Sequence, residues 1–404
     1  NSTPAAVSAG LAAKEAGASR VLVIERDQQP GGILQQCIHP GFGLNYFRQE
    51  LTGPEYAERC ALRAKEAGVD FLLSTMVLQL DPDGTLHCVS GEGVTQIYAK
   101  SVVLAMGCRE RTRGSIRLPG ARPAGIYTAG AAQRLLNRQN ILAGKNIVIL
   151  GSGDIGMIMA RRFTLEGARV GAVVELMPYL AGLTRNRVQC LEDFGIPLLL
   201  SHTVTRVLGN GRVRGVEVSA VDDCQRPAAG TERTIPCDTL VLSVGLIPEN
   251  GLSRMAGVEL DPLTGGPKVN QFMQTSVPHI FAAGNVLHVN DLADNVSVES
   301  EAAGAWAAEY AAGRLREGEE IEVLTGGAVR YICPQKIRTK TGGRATFYFR
   351  VAKPGKNAKI TARSNGELLQ SKTAQRVNPG EMESLTIELD KVEDLKIEVV
   401  GEAL

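Results

Sequence analysis

The clearest chemistry in this chain of 404 residues lies in Gly151-Ser152-Gly153-Asp154-Ile155-Gly156. Glycines spaced as GxGxxG let a backbone turn sharply and approach a phosphate, and a helix opening on that turn aims its N–H groups at a pyrophosphate. In this role Gly151 permits the tight turn, Gly153 the close approach and Gly156 the packing of helix on strand, with Asp154 and Ile155 inside the turn. Glu175, 19 residues beyond Gly156, is placed to accept a hydrogen bond from a ribose 2′-OH. A carboxylate there repels a 2′-phosphate, so NAD is expected rather than NADP. A second acid, Glu25, closes the apolar run 19–25 and occupies the same kind of strand-end position.

These residues need particular elements to hold them. The pattern predicts a strand over 146–150, a helix to 166 and a strand over 168–174, which is a complete βα unit. The chain opens on a damaged copy of the same unit. A helix is predicted over 5–17 and a strand over 19–25, while the expected GxGPAG falls on Asn1-Ser2-Thr3-Pro4-Ala5-Ala6. Pro4 and Ala5 are retained there, every glycine is replaced, and a strand before the helix is missing from the reading. Apolar runs ending in glycine recur at 99–107, 238–245 and 279–284, and a helix rich in alanine and glutamate is predicted over 298–315. Beyond 317 the texture changes to alternating segments at 345–351, 359–363, 385–389 and 395–400, the pattern of a small antiparallel β domain.

Composition sets the outer limits. Hydrophobic residues make up 44% and charged residues 22% of the chain, enough for two or three domains with their own cores. A formal charge of +1 without a long basic run argues against nucleic acid as a partner. No apolar run has the length of a membrane span and no signal peptide is evident, so a cytoplasmic protein is expected. The cysteines at 37, 60, 88, 108, 190, 224, 237 and 333 are nowhere in CxxC spacing, and most of them read as structural thiols. No metal site is expected. The glycine-bearing stretches 81–84 and 208–211 read as turns, the second closing a hairpin. The basic run 109–113 reads as a solvated crossover and 317–320 as an exposed linker.

The two βα units, one inserted in the other, with endings at Ala105-Met106-Gly107, Ser243-Val244-Gly245 and Ala282-Ala283-Gly284, resemble the two-dinucleotide-fold flavoproteins of the pyridine nucleotide-disulfide oxidoreductase family. The stretches Gly31-Gly32-Ile33-Leu34-Gln35-Gln36-Cys37-Ile38-His39, Gly41-Phe42-Gly43-Leu44, Leu51-Thr52-Gly53-Pro54-Glu55-Tyr56, Gly125-Ile126-Tyr127-Thr128-Ala129-Gly130 and Gly245-Leu246-Ile247-Pro248-Glu249-Asn250 narrow the likeness. They are similar to the subgroup holding the FAD/NAD subunits of sarcosine oxidase, opine oxidase and hydrogen cyanide synthase, and to glycerol-3-phosphate-dehydrogenase-associated proteins. The resemblance runs over roughly 1–315.

It implies an α/β fold of two Rossmann-like domains, the second inserted in the first, plus the C-terminal antiparallel β domain. The expected division is an FAD domain at 1–121 and 245–320, an NAD domain at 122–244 and the β domain at 325–404. For FAD it implies Pro4 at the first turn, Glu25 on the adenosine ribose, Gly31 and Gly32 beside the flavin, Gly107 toward the adenine half, and the glycine endings Gly245 and Gly284. Asn285 stands where the family usually has the acid that holds the ribityl hydroxyls. The CxxxxC pair of the disulfide reductases falls on Leu34 and His39, so that dithiol is absent. Cys37 and His39 are the catalytic candidates, a thiolate or an imidazole able to handle a proton while flavin takes a hydride. If that segment is extended, residues two apart share a face. Phe42, Tyr46 and Phe47 read as core, and His288, Asp291 and Asp294 are placed to line the same pocket.

The sequence thus predicts an FAD-dependent oxidoreductase exchanging a hydride with NAD(H). Its other partner is a small amine or hydroxy-acid substrate or a second flavoprotein subunit, and an oligomer built through the β domain is expected. The rival reading is a truncated or noncatalytic NAD-fold scaffold that has lost FAD, favoured by the changes at 1, 3, 6 and 285.

Overall fold

The computed structural model describes residues 4–390 and 392–402. They fall into two compact units, 1–108 with 248–404, and 109–247.

The 109–247 unit is built on a five-stranded parallel sheet in the order Ile126–Thr128, Thr239–Leu242, Asn146–Leu150, Arg169–Val174, Leu198–Leu199. Successive side chains on a strand point to opposite faces, and here both faces are covered. Ile147, Ile149, Val173 and Val241 pack against Met157, Ala160 and Phe163 of the helix Asp154–Leu165. Val148, Leu150, Ala172, Val174, Leu240 and Leu242 pack against Val204, Val207, Val213, Val216 and Val218. The valines belong to a three-stranded antiparallel meander, His202–Asn210, Arg212–Ala220 and Arg233–Pro236. Burial on both sides is why 146–150 reads as an unbroken apolar run. The 208–211 stretch does close a hairpin, with Gly211 at φ +74°. The 109–113 run departs from its solvated reading at Arg113, whose guanidinium donates to the carbonyls of Leu118, Pro119, Gly120 and Ala121.

In the other unit the helix Pro4–Glu15 lies along the helix Ala293–Ala311. A Cβ on Gly304 would fall 2.0 Å from the carbonyl oxygen of Ala9, so glycine is what lets the two backbones meet. Two parallel strand pairs accompany them, Leu22–Ile24 with Asp70–Leu72 and Val102–Leu104 with Ile280–Ala282. The strands Met76–Leu80, Thr85–Ser90 and Gly93–Tyr98 form an antiparallel sheet whose turn is 81–84, with Gly93–Tyr98 at its edge.

The C-terminal β domain has two sheets. One runs Lys336–Arg338, Glu320–Gly327, Leu395–Glu402, Gly355–Ser364, Glu367–Val377, and the other Val329–Cys333, Arg344–Val351, Glu383–Glu388. Phe347, Phe349, Val351, Ile360, Ile397 and Val399 fill the space between them with no exposed surface. The domain is antiparallel as expected, save for one ladder in which Glu320–Gly327 and Leu395–Glu402 run parallel. Glu320, read as linker, opens the first of these strands. No helix among the described residues is long and apolar enough to cross a membrane.

Candidate functional site

The glycine turn of the 109–247 unit sorts its three glycines by cause. Gly151 has φ +98°, and a Cβ there would lie 2.0 Å from Ser243 O. A Cβ on Gly156 would lie 2.7 Å from Ser243 Cβ. The fold itself demands glycine at both. Gly153 differs: its φ is −64°, and a Cβ would meet nothing nearer than Ser243 Oγ at 3.4 Å. The protein leaves that side of the backbone open, directly before the helix that begins at Asp154. An open glycine before a helix N-terminus is the shape a pyrophosphate requires, and the residues present fit a dinucleotide.

Glu175 is buried at the end of Arg169–Val174. It accepts from Ser152 N at 2.8 Å, Ser152 Oγ at 2.7 Å and Met177 N at 2.9 Å. The carboxylate thus ties the glycine turn to the strand end. Asp154 turns its carboxylate to Leu183 N at 2.8 Å and Asn186 Nδ2 at 2.6 Å. Ile155 packs against the sheet core. Gly245, at φ +101°, falls in this unit, because the division comes after Ile247.

In the other unit Asn1-Ser2-Thr3 lie outside the described residues, and Pro4 opens the first helix. Ala5, Ala105 and Val296 pack together. A Cβ on Gly284 would come within 3.0 Å of Ala5 Cβ and 3.1 Å of Val296 Cγ1. That contact sets Gly284 against the first turn of the helix that Pro4 opens, and Gly107 has φ +71°. Glu25 is fully buried, its backbone held by Leu72 O and its Oε1 accepting from Asp27 N at 2.8 Å. Gly31 and Gly32 both have positive φ, and a Cβ on Gly31 would lie 2.5 Å from Ala57 Cβ. Around them Ile33, Ile38 and Leu44 stand 47%, 40% and 45% exposed. Apolar side chains uncovered beside a glycine pair suit a flat aromatic ring laid over them, so these residues fit FAD. Asn285 has used much of its capacity: Oδ1 accepts from Asn290 N at 2.9 Å, and Nδ2 approaches Cys108 Sγ at 3.7 Å.

The Cys37 and His39 segment is not extended. Residues Gly32–Gln36 form a 3₁₀ turn capped by Cys37, whose N–H bonds Leu34 O. The shared-face argument therefore fails for the pair. Burial pushes the Cys37 thiol up to about 12, and Sγ donates to Ile33 O at 3.3 Å. That shift disfavours a thiolate at Cys37. His39 Nδ1 lies 2.9 Å from Pro40 O, so Nδ1 is the donor in that contact.

Sequence reasoning missed how the helix Ala293–Ala311 organises this unit. Asp294, buried, accepts from Gly43 N at 2.9 Å, Asn45 N at 2.7 Å and Tyr46 N at 3.3 Å. Tyr46 donates to Glu301, and Tyr56 Oη lies 2.7 Å from Ser297 Oγ. Phe42, Tyr46 and Phe47 pack on the local core as read. His288 does not line an open pocket: it is buried, with Nε2 2.7 Å from Glu299 Oε2. A helix acid normally reads as solvated surface, so no sequence signal marked Glu299 as buried.

Comparison with known proteins gives a consistent result. The family model for pyridine nucleotide-disulphide oxidoreductases matches residues 2–305. The HcnB subunit of hydrogen cyanide synthase from Pseudomonas protegens is 25% identical over 309 residues, covering 70% of this chain and 64% of that protein. A subunit of opine oxidase from Rhizobium meliloti is 27% identical over 276 residues, 64% of this chain and 51% of that protein. The chain therefore spans less than two thirds of the length of these relatives. Thioredoxin reductase of T. acidophilum shares the fold with a TM-score of 0.62 and 23% identity, over 78% of this chain and 96% of that one. The NAD-dependent persulfide reductase from A. fulgidus does so at 0.58 and 16%, over 96% of this chain and 70% of that one. With one family model running through both units, this chain belongs to the pyridine nucleotide-disulphide oxidoreductase family, flavoprotein oxidoreductases that bind FAD and NAD(P).

Proposed function

We propose that this chain holds FAD in the 1–108/248–404 unit and NAD(H) in the 109–247 unit, and passes a hydride between them. The observation that carries this reading is the open side of Gly153 above a turn fixed by Glu175. Bound FAD supplies a two-electron acceptor or donor; the chain's own residues bind, orient and manage protons. Glu25 would take the adenosine ribose hydroxyls, the Gly31-Gly32 backbone the flavin edge, and Gly107 and Gly284 the close approaches. Glu175 favours NAD over NADP, because its carboxylate repels a 2′-phosphate. His39 is the residue assigned to proton handling.

The same reading has no dithiol relay. The CxxxxC positions hold Leu34 and His39, and no two cysteines are closer than 13 residues in sequence. The relatives named as subunits of hydrogen cyanide synthase and opine oxidase support a role within an amine or hydroxy-acid dehydrogenase or oxidase complex in the cytoplasm, partnered by a second flavoprotein subunit. One observation favours the rival scaffold reading: Asn285 Oδ1 already accepts from Asn290 N, which leaves it less able to hold a cofactor hydroxyl.

An absorption spectrum before and after anaerobic NADH decides between them. A yellow protein that bleaches supports the two-cofactor reading. A colourless protein that cannot be reconstituted with FAD leaves the scaffold.

A further inference from the structure

We propose that Glu299 and His288 are positioning residues for the turn Gly284–Val286, and that through them the C-terminal β domain takes part in holding FAD. The inference rests on the FAD-binding function proposed for this unit.

Gly284 sits at φ +74° where the strand Ile280–Ala282 turns into a short 3₁₀ segment. Its N–H donates to Glu299 Oε1 at 2.5 Å. Glu299 is buried, and a carboxylate removed from water persists only where its oxygens are occupied. The other oxygen meets His288 Nε2 at 2.7 Å. His288 is itself 1% exposed, and among the described residues its Nδ1 has no hydrogen-bond partner. The ring therefore donates from Nε2, toward Glu299, and its orientation is set by that bond and by packing.

The packing comes from the β domain. Tyr331 and Tyr348 place their rings 6.1 and 5.9 Å from the imidazole. The segment that follows His288 is held by the same domain. Arg350 pairs with Asp291 and donates to Val289 O at 3.0 Å, to Pro379 O at 3.0 Å and to Tyr331 Oη at 3.1 Å. Met382 N donates to Asp291 Oδ2 at 2.6 Å. Asn285 Oδ1, accepting from Asn290 N, closes the loop between the turn and this anchored segment. A continuous set of buried contacts thus runs from the tyrosines and Arg350 to the backbone N–H of Gly284. Ligands bind more tightly to backbone groups already fixed in the bound conformation, because less ordering remains to be done.

The test compares E299A, E299Q and Y348A with wild type. FAD uptake by apoprotein is followed by quenching of flavin fluorescence, the reduction potential of bound FAD is measured, and the thermal melt of the apoprotein serves as the folding control. E299A is expected to weaken FAD by about tenfold to a hundredfold, the loss of a charged hydrogen bond, with NADH affinity unchanged. E299Q keeps an oxygen for the Gly284 N–H and should recover most of that affinity. It should also raise the potential, since a negative charge no longer opposes reduction. Y348A, which lies in the β domain, should weaken FAD in the same direction. Wild-type affinity and potential in all three variants overturn the inference while leaving the functional reading intact. If E299A fails to fold, its apoprotein showing no native melt, E299Q and Y348A decide in the same way. A wild-type protein that binds NADH and takes up no FAD overturns the functional reading and this inference with it.

Discussion

Gly153 separates two reasons for a glycine. At Gly151 the backbone angle and the 2.0 Å approach to Ser243 O forbid a side chain, whereas at Gly153 the protein would accept one. G153A is therefore expected to melt like wild type yet bind NADH at least about tenfold more weakly, seen by fluorescence titration. G151A should lose more than about 1 kcal/mol of stability in thermal melts. An equal effect on both properties in both variants would contradict the sorting. Cys37 and His39 divide similarly. H39Q is expected to lower flavin reduction by NADH about a hundredfold with the flavin spectrum unchanged. C37S should change it little, because burial pushes the Cys37 thiol up to about 12 and so disfavours the thiolate. A pH–rate limb that disappears in C37S and not in H39Q would reverse the assignment.

The helix Ala293–Ala311 shows what a single element contributes. Asp294 satisfies three backbone N–H groups of the 43–46 loop, and D294A leaves all three without their acceptor. A loss on the order of 3 kcal/mol is expected, with a lower denaturant midpoint and faster amide exchange at those residues. Protection unchanged in D294A would show that the loop is held by other contacts. Much at this scale could be read from the sequence. The strand Asn146–Leu150 was legible residue for residue and the end of the helix Asp154–Leu165 within one, because apolar period, glycine turn and strand-end acid agree there. The start of Ala293–Ala311 was not, since Asp294, Asn295, Val296 and Ser297 are weak helix formers and tertiary contacts override their preference. The strand Glu367–Val377 was also missed. Its side chains are exposed on both faces, so alternation never develops. Glycines announced the site, whereas Glu299 and Asp294 act through long-range contacts that spacing alone does not encode.

Across the whole molecule, buried acids of high pKa tie stability to alkaline pH. Desolvation pushes Cys60 up to about 12 and Tyr331 to about 12 in one unit, and Cys190 and Cys237 to about 11 in the other. A thiol in the unfolded chain ionises near 9.0. The folded protein keeps these groups neutral where the unfolded chain would ionise, so unfolding becomes more favourable as pH climbs from 9 toward 11 and 12. Both units should show melting temperatures that fall steadily above pH 9. Calorimetry between pH 7 and 11 checks this, and a flat profile would mean these groups are hydrated in the folded state.

Two edge strands of the molecule are protected unequally. Glu367–Val377 carries Glu367, Lys372 and Arg376 along its length, and charge on an edge discourages another chain from pairing there. Gly93–Tyr98 carries none, and Val94 and Tyr98 stand 73% and 76% exposed. A bare, uncharged run of this kind is a template for intermolecular strands. Association between copies is therefore expected to begin, as concentration rises, at a short segment that has no part in the chemistry.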